Sequence, residues 1–178
     1  MKNVVSDVST VFKAAILSND IGSLKARVKY EARISKNIAC ERNIDAVTAY
    51  YMSTVQLIPL VDVRTPQEYQ DAGHVPASYN IPAFVWGEWD EYAKAFLLDE
   101  NPDFVKEFEN RFPVKENPAI IMCRSGHRSV MAIMLLVQAG YVNLYHMWEG
   151  FEGLAVRDKD RGGAKNVDGW KNRGLPCT

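Results

Sequence analysis

The sequence predicts an α/β fold for most of the chain. From Asp45 onward, signals for helices and strands alternate, which is the arrangement of α/β proteins. Two of the strand signals, at residues 57–63 and 119–122, are largely apolar, as in strands buried within a sheet. A short polar loop links the second of these strands to a helix. We therefore expect ligands to bind at the carboxyl edge of the sheet, where such loops lie.

The region after Asp45 begins with a helix, a strand and a second helix. Asp45 is a suitable N-cap for a helix that runs to about residue 54. Residues 57–63 follow as the strand. Thr65 and Glu68 then form a capping box, with Pro66 at the first helical position. This pattern predicts a tight turn and a short helix directly after the strand.

Further elements are predicted at residues 88–98 (helix), 102–112 (helix), 119–122 (strand), 129–139 (helix) and 142–145 (strand). Pro102 opens the second of these helices, and Gly140 ends the third. Five aromatic residues recur at nearly helical spacing around the first helix. We expect most of them to pack in the core, although they are also suited to line the mouth of an active site: Phe84, Trp86, Trp89, Tyr92 and Phe96.

Charge divides the 178-residue chain into two parts. Residues 1–44 carry eight Lys or Arg against four acids, whereas residues 45–178 carry 13 against 18. We therefore assign residues 1–44 to an N-terminal extension and residues 45–178 to one domain. Apolar residues at helical spacing predict that the extension is partly helical, with a role in docking or dimerisation: Val4, Val8, Val11, Phe12, Ala15 and Ile16.

Overall composition excludes several classes of protein. The formal net charge of −1 disfavours a basic nucleic-acid binder. No apolar run approaches the roughly 18 residues of a membrane span, and the N-terminal residues are not typical of a secretory signal, so we expect a cytoplasmic protein unless a leader has been removed. Cys40, Cys123 and Cys177 are widely spaced and odd in number, which argues against a disulfide framework and against a bound metal.

The candidate site is the loop after the strand at residues 119–122, with the sequence Cys-Arg-Ser-Gly-His-Arg-Ser from Cys123 to Ser129. A loop that enters a helix N-terminus turns backbone N–H groups toward one point and favours an anion there. These groups, together with Arg124 and Arg128, would stabilise Cys123 as a nucleophilic thiolate. Gly126 allows the backbone to curl around the sulfur with positive φ. Cys40 and Cys177 have no such surroundings.

Four stretches of the sequence resemble the single-domain rhodanese family of thiosulfate sulfurtransferases. They occur in the order found in that family and span residues 45–178. The stretches are residues 60–66 with Glu68 and Tyr69, residues 73–77 through 80–82, the loop at 123–129, and residues 149–151 with Gly169, Trp170 and residues 174–176.

The resemblance implies a rhodanese-like three-layer fold, with a mostly parallel sheet of about five strands and helices on both faces. It also implies that Cys123 accepts a sulfane sulfur from thiosulfate or a similar donor and passes this persulfide sulfur to cyanide or a thiol. Arg124 and Arg128 are assigned to the anionic donor. Ser125, Gly126 and His127 form the backbone cradle. No metal or organic cofactor is required.

Other residues are expected to support this loop. Asp62, Arg64, Glu68 and Ser129 are assigned as supporting residues, with Arg64 pairing with Glu68 or Asp62 contacting the loop. Glu68 occupies a position that carries a substrate-binding arginine in some two-domain thiosulfate enzymes of this superfamily. His127 is expected to play a minor chemical role.

Two further histidines are predicted to be structural. They are His74 in the first half of the domain and His146 after a strand.

Two other functions remain open at this point. A persulfide relay or adaptor would exchange sulfur with a protein donor or acceptor, and the extension would dock that partner. A Cys-dependent phosphatase shares the fold, but its loop places five residues between Cys and Arg. Here only four residues separate Cys123 from Arg128, which suits a single sulfur atom better than a phosphate. The sequence does not predict the oligomeric state.

Overall fold

The computed structural model describes residues 42–92, 94–157, 164–166 and 168–178. Four helices occur in this part of the chain: α1 (Ala46–Thr54), α2 (Pro66–Asp71), α3 (Phe104–Arg111) and α4 (His127–Gln138). The strands are β1 (Asn43–Ile44), β2 (Leu60–Asp62), β3 (Tyr79–Asn80), β4 (Phe84–Asp90), β5 (Ala95–Glu100), β6 (Ala119–Met122), β7 (Leu144–Met147), β8 (Ala155–Arg157) and β9 (Ala164–Asn166).

Five strands form the central sheet, in the order β1-β7-β6-β2-β3, and every pairing in it is parallel. The predicted α/β fold is therefore confirmed, including the mostly parallel five-stranded sheet. β1 contains Asn43 and Ile44, so the sheet begins two residues before the boundary placed at Asp45. Residues 1–41 lie outside the described residues, and the helix and docking role predicted for the extension stay predictions.

Strand residues alternate between two hydrophobic clusters on opposite faces of the sheet. Val61 and Ile121 face the cluster that contains Phe104 and Phe108 of α3 and Ile133 of α4. The neighbouring strand residues face the other cluster, which α1 and Trp170 cover: Leu60, Ile120 and Met122. This period of two allows helices to pack on both faces, and the parallel pairing directs the carboxyl ends of the strands to one edge.

The local signals around α1 and α2 behave as predicted. The carboxylate of Asp45 accepts a hydrogen bond from the Thr48 N–H at 2.6 Å, which caps α1. The capping box of α2 is complete, because the Thr65 side chain accepts from the Glu68 N–H and the Glu68 carboxylate accepts from the Thr65 N–H. The strand at 119–122 has the predicted bounds, and the helices predicted at 102–112 and 129–139 are α3 and α4, with shifted ends.

The helix predicted at residues 88–98 is wrong. Most of these residues belong to β4 and β5, which form an antiparallel hairpin. Aromatic residues favour strands, and Trp89 lies opposite Phe96 in a T-shaped ring contact. The register shifts between Trp86 and Trp89, so these two residues, three positions apart as on a helix face, both contact Phe96 in an extended hairpin.

The aromatic residues of this hairpin are mostly exposed. Phe84 is buried, as predicted, but Trp86, Trp89 and Phe96 are 42%, 46% and 53% exposed, and Tyr92 is fully exposed. The prediction that most of them pack in the core is therefore wrong, since the hairpin projects beyond the two hydrophobic clusters. Within the described residues, no helix has the length and apolar character needed to cross a membrane.

Candidate active site

The site is built where β6 ends and α4 begins. Cys123 directly follows β6, and its Sγ accepts a hydrogen bond from the Gly126 N–H at 3.2 Å. The Ser129 hydroxyl lies 3.3 Å from the same sulfur. Gly126 has φ +89°, so the predicted positive φ is confirmed and the loop curls around the sulfur. Cys123 itself is buried, with 1% of its surface exposed.

A second segment holds the outside of this loop. The Phe151 N–H donates to the carbonyl oxygen of Cys123 at 2.8 Å. Gly150 has φ +71°, and a Cβ atom there would lie 2.4 Å from the Arg124 carbonyl oxygen and 2.5 Å from the Ser125 nitrogen. Only glycine fits this close approach of two backbones. The segment at residues 149–151, one of the four stretches that carry the sequence resemblance, therefore packs directly against the loop.

Arg128 projects from the first turn of α4 and binds Glu68 of α2. Its Nη1 and Nη2 atoms each lie 2.6 Å from a carboxylate oxygen of Glu68, and both side chains are largely buried. Burial lowers the pKa of Arg128, but the bonds to Glu68 and the nearby Cys123 charge outweigh it, so the pKa lies above its ordinary value. Burial likewise raises the pKa of Glu68, yet Arg128 and the Thr65 N–H bring it below its ordinary value.

Asp62 and Arg64 form a second ion pair at the end of β2, completely buried. The Nε and Nη2 atoms of Arg64 donate to the Asp62 carboxylate at 2.7 to 3.0 Å, and Nη2 also donates to the Gly73 carbonyl. The Arg64 guanidinium lies 4.2 Å from the centre of the Phe151 ring. Burial raises the pKa of the Asp62 carboxyl, and the hydrogen bonds from Arg64 oppose that rise.

These contacts give the supporting residues specific partners. Arg64 pairs with Asp62 rather than with the Glu68 carboxylate, which pairs instead with Arg128. Arg64 supports the segment at residues 149–151 by stacking on Phe151, and that segment supports the loop. The pair at the end of β2 is thus connected to Cys123 through Phe151.

The remaining loop side chains lie nearer to the surface. Arg124 is exposed, and its Nε donates to the Glu152 carboxylate at 2.9 Å. The Ser125 hydroxyl lies 3.3 Å from Nδ1 of His127, whose side chain is exposed. Every residue assigned to the loop therefore lies around Cys123, and the substrate-binding roles given to them stay predictions.

His146, predicted to be structural, contacts the active-site loop, and sequence reasoning did not predict that contact. Its Nε2 lies 2.9 Å from the Ser129 hydroxyl and 3.0 Å from the Gly126 carbonyl oxygen, while its Nδ1 lies 2.9 Å from Oδ1 of Asn43. A carbonyl oxygen only accepts, so the bond to Gly126 requires a proton on Nε2. The signal was its place in β7, which lies beside β6 and pairs His146 with Ile121.

In the described residues, no group of three or more His, Cys, Asp or Glu side chains is arranged to hold a metal ion. The functional atoms are instead one sulfur, the Gly126 N–H and the Ser129 hydroxyl beside it, and the paired charges behind it. Such an arrangement is suited to binding an anionic sulfur species at the helix N-terminus.

Comparison with known proteins supports a family assignment. The model of the Rhodanese-like domain matches residues 48–156. Rhodanese domain-containing protein CG4456 of Drosophila melanogaster is 37% identical over 101 residues, which are 53% of this chain and 85% of that protein. Thiosulfate sulfurtransferase 16, chloroplastic, of Arabidopsis thaliana is 32% identical over 95 residues, or 53% of this chain and 72% of that one.

Solved structures give the same result at the level of the fold. The crystal structure of Rv0390 from M. tuberculosis superposes with a TM-score of 0.54 at 25% identity, covering 76% of this chain and 96% of that one. The family match covers more than half of the sequence and includes the loop that carries Cys123. The chain therefore belongs to the rhodanese-like domain family.

Proposed function

We propose that the protein is a sulfurtransferase that carries a sulfane sulfur as a persulfide on Cys123. It takes this sulfur from thiosulfate or a similar donor and passes it to a thiophilic acceptor such as cyanide or a thiol. The observation that carries the proposal is the position of the Cys123 sulfur, at the N-terminus of α4, beside the Gly126 N–H and the Ser129 hydroxyl. A relative named as a thiosulfate sulfurtransferase supports the same reaction class.

The surroundings of the sulfur favour a negative charge on it. The N-terminus of α4 carries a partial positive charge from its unpaired N–H groups. Arg128 lies in the first turn of the same helix, where a negative charge on Cys123 helps to raise its pKa, although its main partner is Glu68. A persulfide anion would meet the same donors as the thiolate. The loop therefore supports both the nucleophile and the intermediate.

The reaction balances without a cofactor. The Cys123 thiolate attacks the outer sulfur of thiosulfate, the S–S bond of the donor breaks, and sulfite leaves with the bonding electron pair. The outer sulfur now forms a persulfide on Cys123. The acceptor then attacks that outer sulfur, the new S–S bond breaks, and Cys123 leaves as a thiolate again. With cyanide the product is thiocyanate.

Intact mass measurement tests this proposal. Incubation of the reductant-free protein with thiosulfate, or with a thiol persulfide, should add the mass of one sulfur atom. Cyanide should remove it. We expect Cys123→Ser to abolish the adduct because the nucleophile is lost. Cys177→Ser is the matched control, since this exposed thiol lies outside the loop and its loss should leave the adduct intact.

Two results would contradict the proposal. One is the absence of a cyanide-sensitive sulfur on Cys123 with either donor, provided that the thermal unfolding of the protein is cooperative. The other is Cys123-dependent hydrolysis of an aryl phosphate in place of sulfur transfer. Peptide mapping after incubation assigns any adduct to Cys123, Cys177 or Cys40.

A further inference from the structure

Both arginines of the active-site loop are already bound to carboxylates of this chain. Arg128, whose pKa is raised in part by the Cys123 charge, forms a bidentate ion pair with Glu68 at 2.6 Å. Arg124 binds Glu152 at 2.9 Å at the surface. The charge that each guanidinium offers to an incoming anion is therefore largely cancelled by its own partner.

The Glu68–Arg128 pair is the more important of the two, because it is shielded from water. The two side chains are 17% and 13% exposed, whereas Arg124 is 59% exposed. The lowered pKa of Glu68 and the raised pKa of Arg128 keep both groups charged at neutral pH. Glu68 is also fixed by the capping box of α2, so it cannot swing away without breaking its bond to the Thr65 N–H.

Charge distinguishes the possible sulfur donors. Attack of a thiolate on thiosulfate brings three negative charges into one site, and sulfite leaves with two of them. Attack on a thiol persulfide brings one or two, and the leaving group is a singly charged thiolate. At about 4 Å, one unit of like charge slows the attack by about fivefold in water and by more near a protein surface, so we expect about tenfold for each charge. When the loop arginines are already paired, attack on thiosulfate is therefore slowed more than attack on a thiol persulfide.

We propose that the Glu68–Arg128 pair makes this site selective for thiol persulfides, of low molecular weight or on a protein, over thiosulfate. The inference rests on the proposed sulfur transfer through Cys123. In the loading step, the Cys123 thiolate attacks the terminal sulfur of R–S–SH and the donor S–S bond breaks. R–S⁻ leaves with the electron pair, and the proton stays on the transferred sulfur. Glu68 acts through Arg128 and is a positioning residue.

The test measures the first half of the reaction alone. Full-length protein is mixed with cysteine persulfide or with thiosulfate, and the rate constant for sulfur loading of Cys123 is followed by quenched-flow mass spectrometry. Each constant is divided by that of the same donor with free cysteine, which removes intrinsic reactivity. For the wild type, we expect the corrected constant for cysteine persulfide to exceed that for thiosulfate by about 100-fold, as two uncompensated charges predict.

Glu68→Gln is the informative substitution. Glutamine still accepts the hydrogen bond from the Thr65 N–H in the capping box, but it releases the positive charge of Arg128. We expect the preference for the persulfide to fall by about tenfold or more, because thiosulfate loading becomes faster. Sulfite, the leaving group of thiosulfate, should also inhibit the variant at lower concentration. A merely structural role for Glu68 would change neither the ratio nor the sulfite inhibition.

Glu109→Gln is the matched control. Glu109 lies on α3, away from the loop, and pairs with Lys115, so its loss should leave the donor ratio unchanged. Two outcomes overturn the inference: equal corrected constants for the two donors in the wild type, or an unchanged ratio in folded Glu68→Gln. If Glu68→Gln fails to fold, the ratio of the two donor constants in the wild type decides alone. If the proposed function itself is wrong, neither donor will transfer sulfur to Cys123, a result that differs from both of these outcomes.

Discussion

The loop at residues 123–129 and the hairpin of β4 and β5 place their side chains in opposite environments. Around the loop, charged groups are buried and paired, as in Asp62 with Arg64 and Glu68 with Arg128. On the hairpin, large apolar side chains face solvent, and Tyr92 is fully exposed. Burial thus follows the location of each segment relative to the sheet rather than the polarity of its residues.

The two regions also differ in what holds them. The loop depends on several distant segments, since β2, α2, β7 and residues 149–151 each contact it or one of its partners. The hairpin is formed by pairing between its own two strands, and its base is tied by Asn101 to the carbonyl oxygens of Pro82 and Ala83. Substitutions in these distant segments should therefore disturb the loop around Cys123, whereas substitutions in the hairpin should affect only the hairpin.

The largest expected effect is loss of the buried ion pair. Arg64→Met would leave the Asp62 carboxylate buried without its partner and would remove the stacking on Phe151. We expect the free energy of unfolding to fall by about 3–5 kcal/mol. Urea denaturation at neutral pH measures this change.

The control uses an ion pair of the same kind at the surface. Lys94→Met removes the partner of Glu91, and we expect a loss of about 1 kcal/mol or less. Equal losses in the two variants would show that burial of the Asp62–Arg64 pair has no special importance. The double variant Asp62→Leu with Arg64→Met should be less destabilised than Arg64→Met, because no charge is then left buried.

An intermediate effect is expected from the pH dependence of the Glu68–Arg128 pair. The pKa of Glu68 is lower in the folded protein than its ordinary value of 4.5. Its contribution is therefore fully present above pH 4.5 and is lost as the pH falls through the folded pKa. At pH 7 we expect Glu68→Gln to be less stable than the wild type by about 2 kcal/mol.

Urea denaturation of both proteins at a series of pH values measures this difference. The gap between the two proteins should narrow as the pH decreases below 4.5. A gap that stays constant with pH would show that the carboxylate charge of Glu68 contributes nothing to stability, and that its hydrogen bonds alone matter.

The smallest effect is expected on the hairpin. Trp89→Ser removes a half-exposed side chain whose main contacts are the ring of Phe96 and a hydrogen bond to Glu91. Cross-strand aromatic pairs contribute less than about 1 kcal/mol, so we expect a loss of that size or smaller. The rate of sulfur loading on Cys123 should not change.

Trp170→Ser provides the matched comparison, since Trp170 is completely buried in one of the two hydrophobic clusters. Removal of a buried aromatic side chain costs about 3–5 kcal/mol. A similar loss for Trp89→Ser would mean that the hairpin is an integral part of the core, and the contrast between the two regions would fail.

Prediction from the sequence succeeded where the determinants are local. The capping box of Thr65 and Glu68, the N-cap at Asp45 and the positive φ of Gly126 each depend on a few neighbouring residues. The motif order around Cys123 was enough to identify the family and the parallel sheet. These features need no knowledge of distant contacts.

Prediction failed where distant residues decide the outcome. Arg128 and Glu68 are 60 positions apart, so no local pattern shows that they neutralise each other. The contact of His146 with Ser129 was not predicted, because it depends on the order of β6 and β7 in the sheet. The aromatic spacing at residues 84–96 fits a helix, and only the pairing of β4 with β5 excludes it.

The Ser129 hydroxyl has one proton and two neighbours that can accept it, the Cys123 sulfur and the Gly126 carbonyl oxygen, whereas the Nε2–H of His146 can only donate to that hydroxyl. A negative sulfur attracts that proton, and a neutral, alkylated sulfur releases it toward the carbonyl. The imidazole of His146 should respond through its Nε2–H. Because the chain has only three histidines, the nitrogen spectrum of the labelled side chains offers an internal reporter of the chemical state of Cys123.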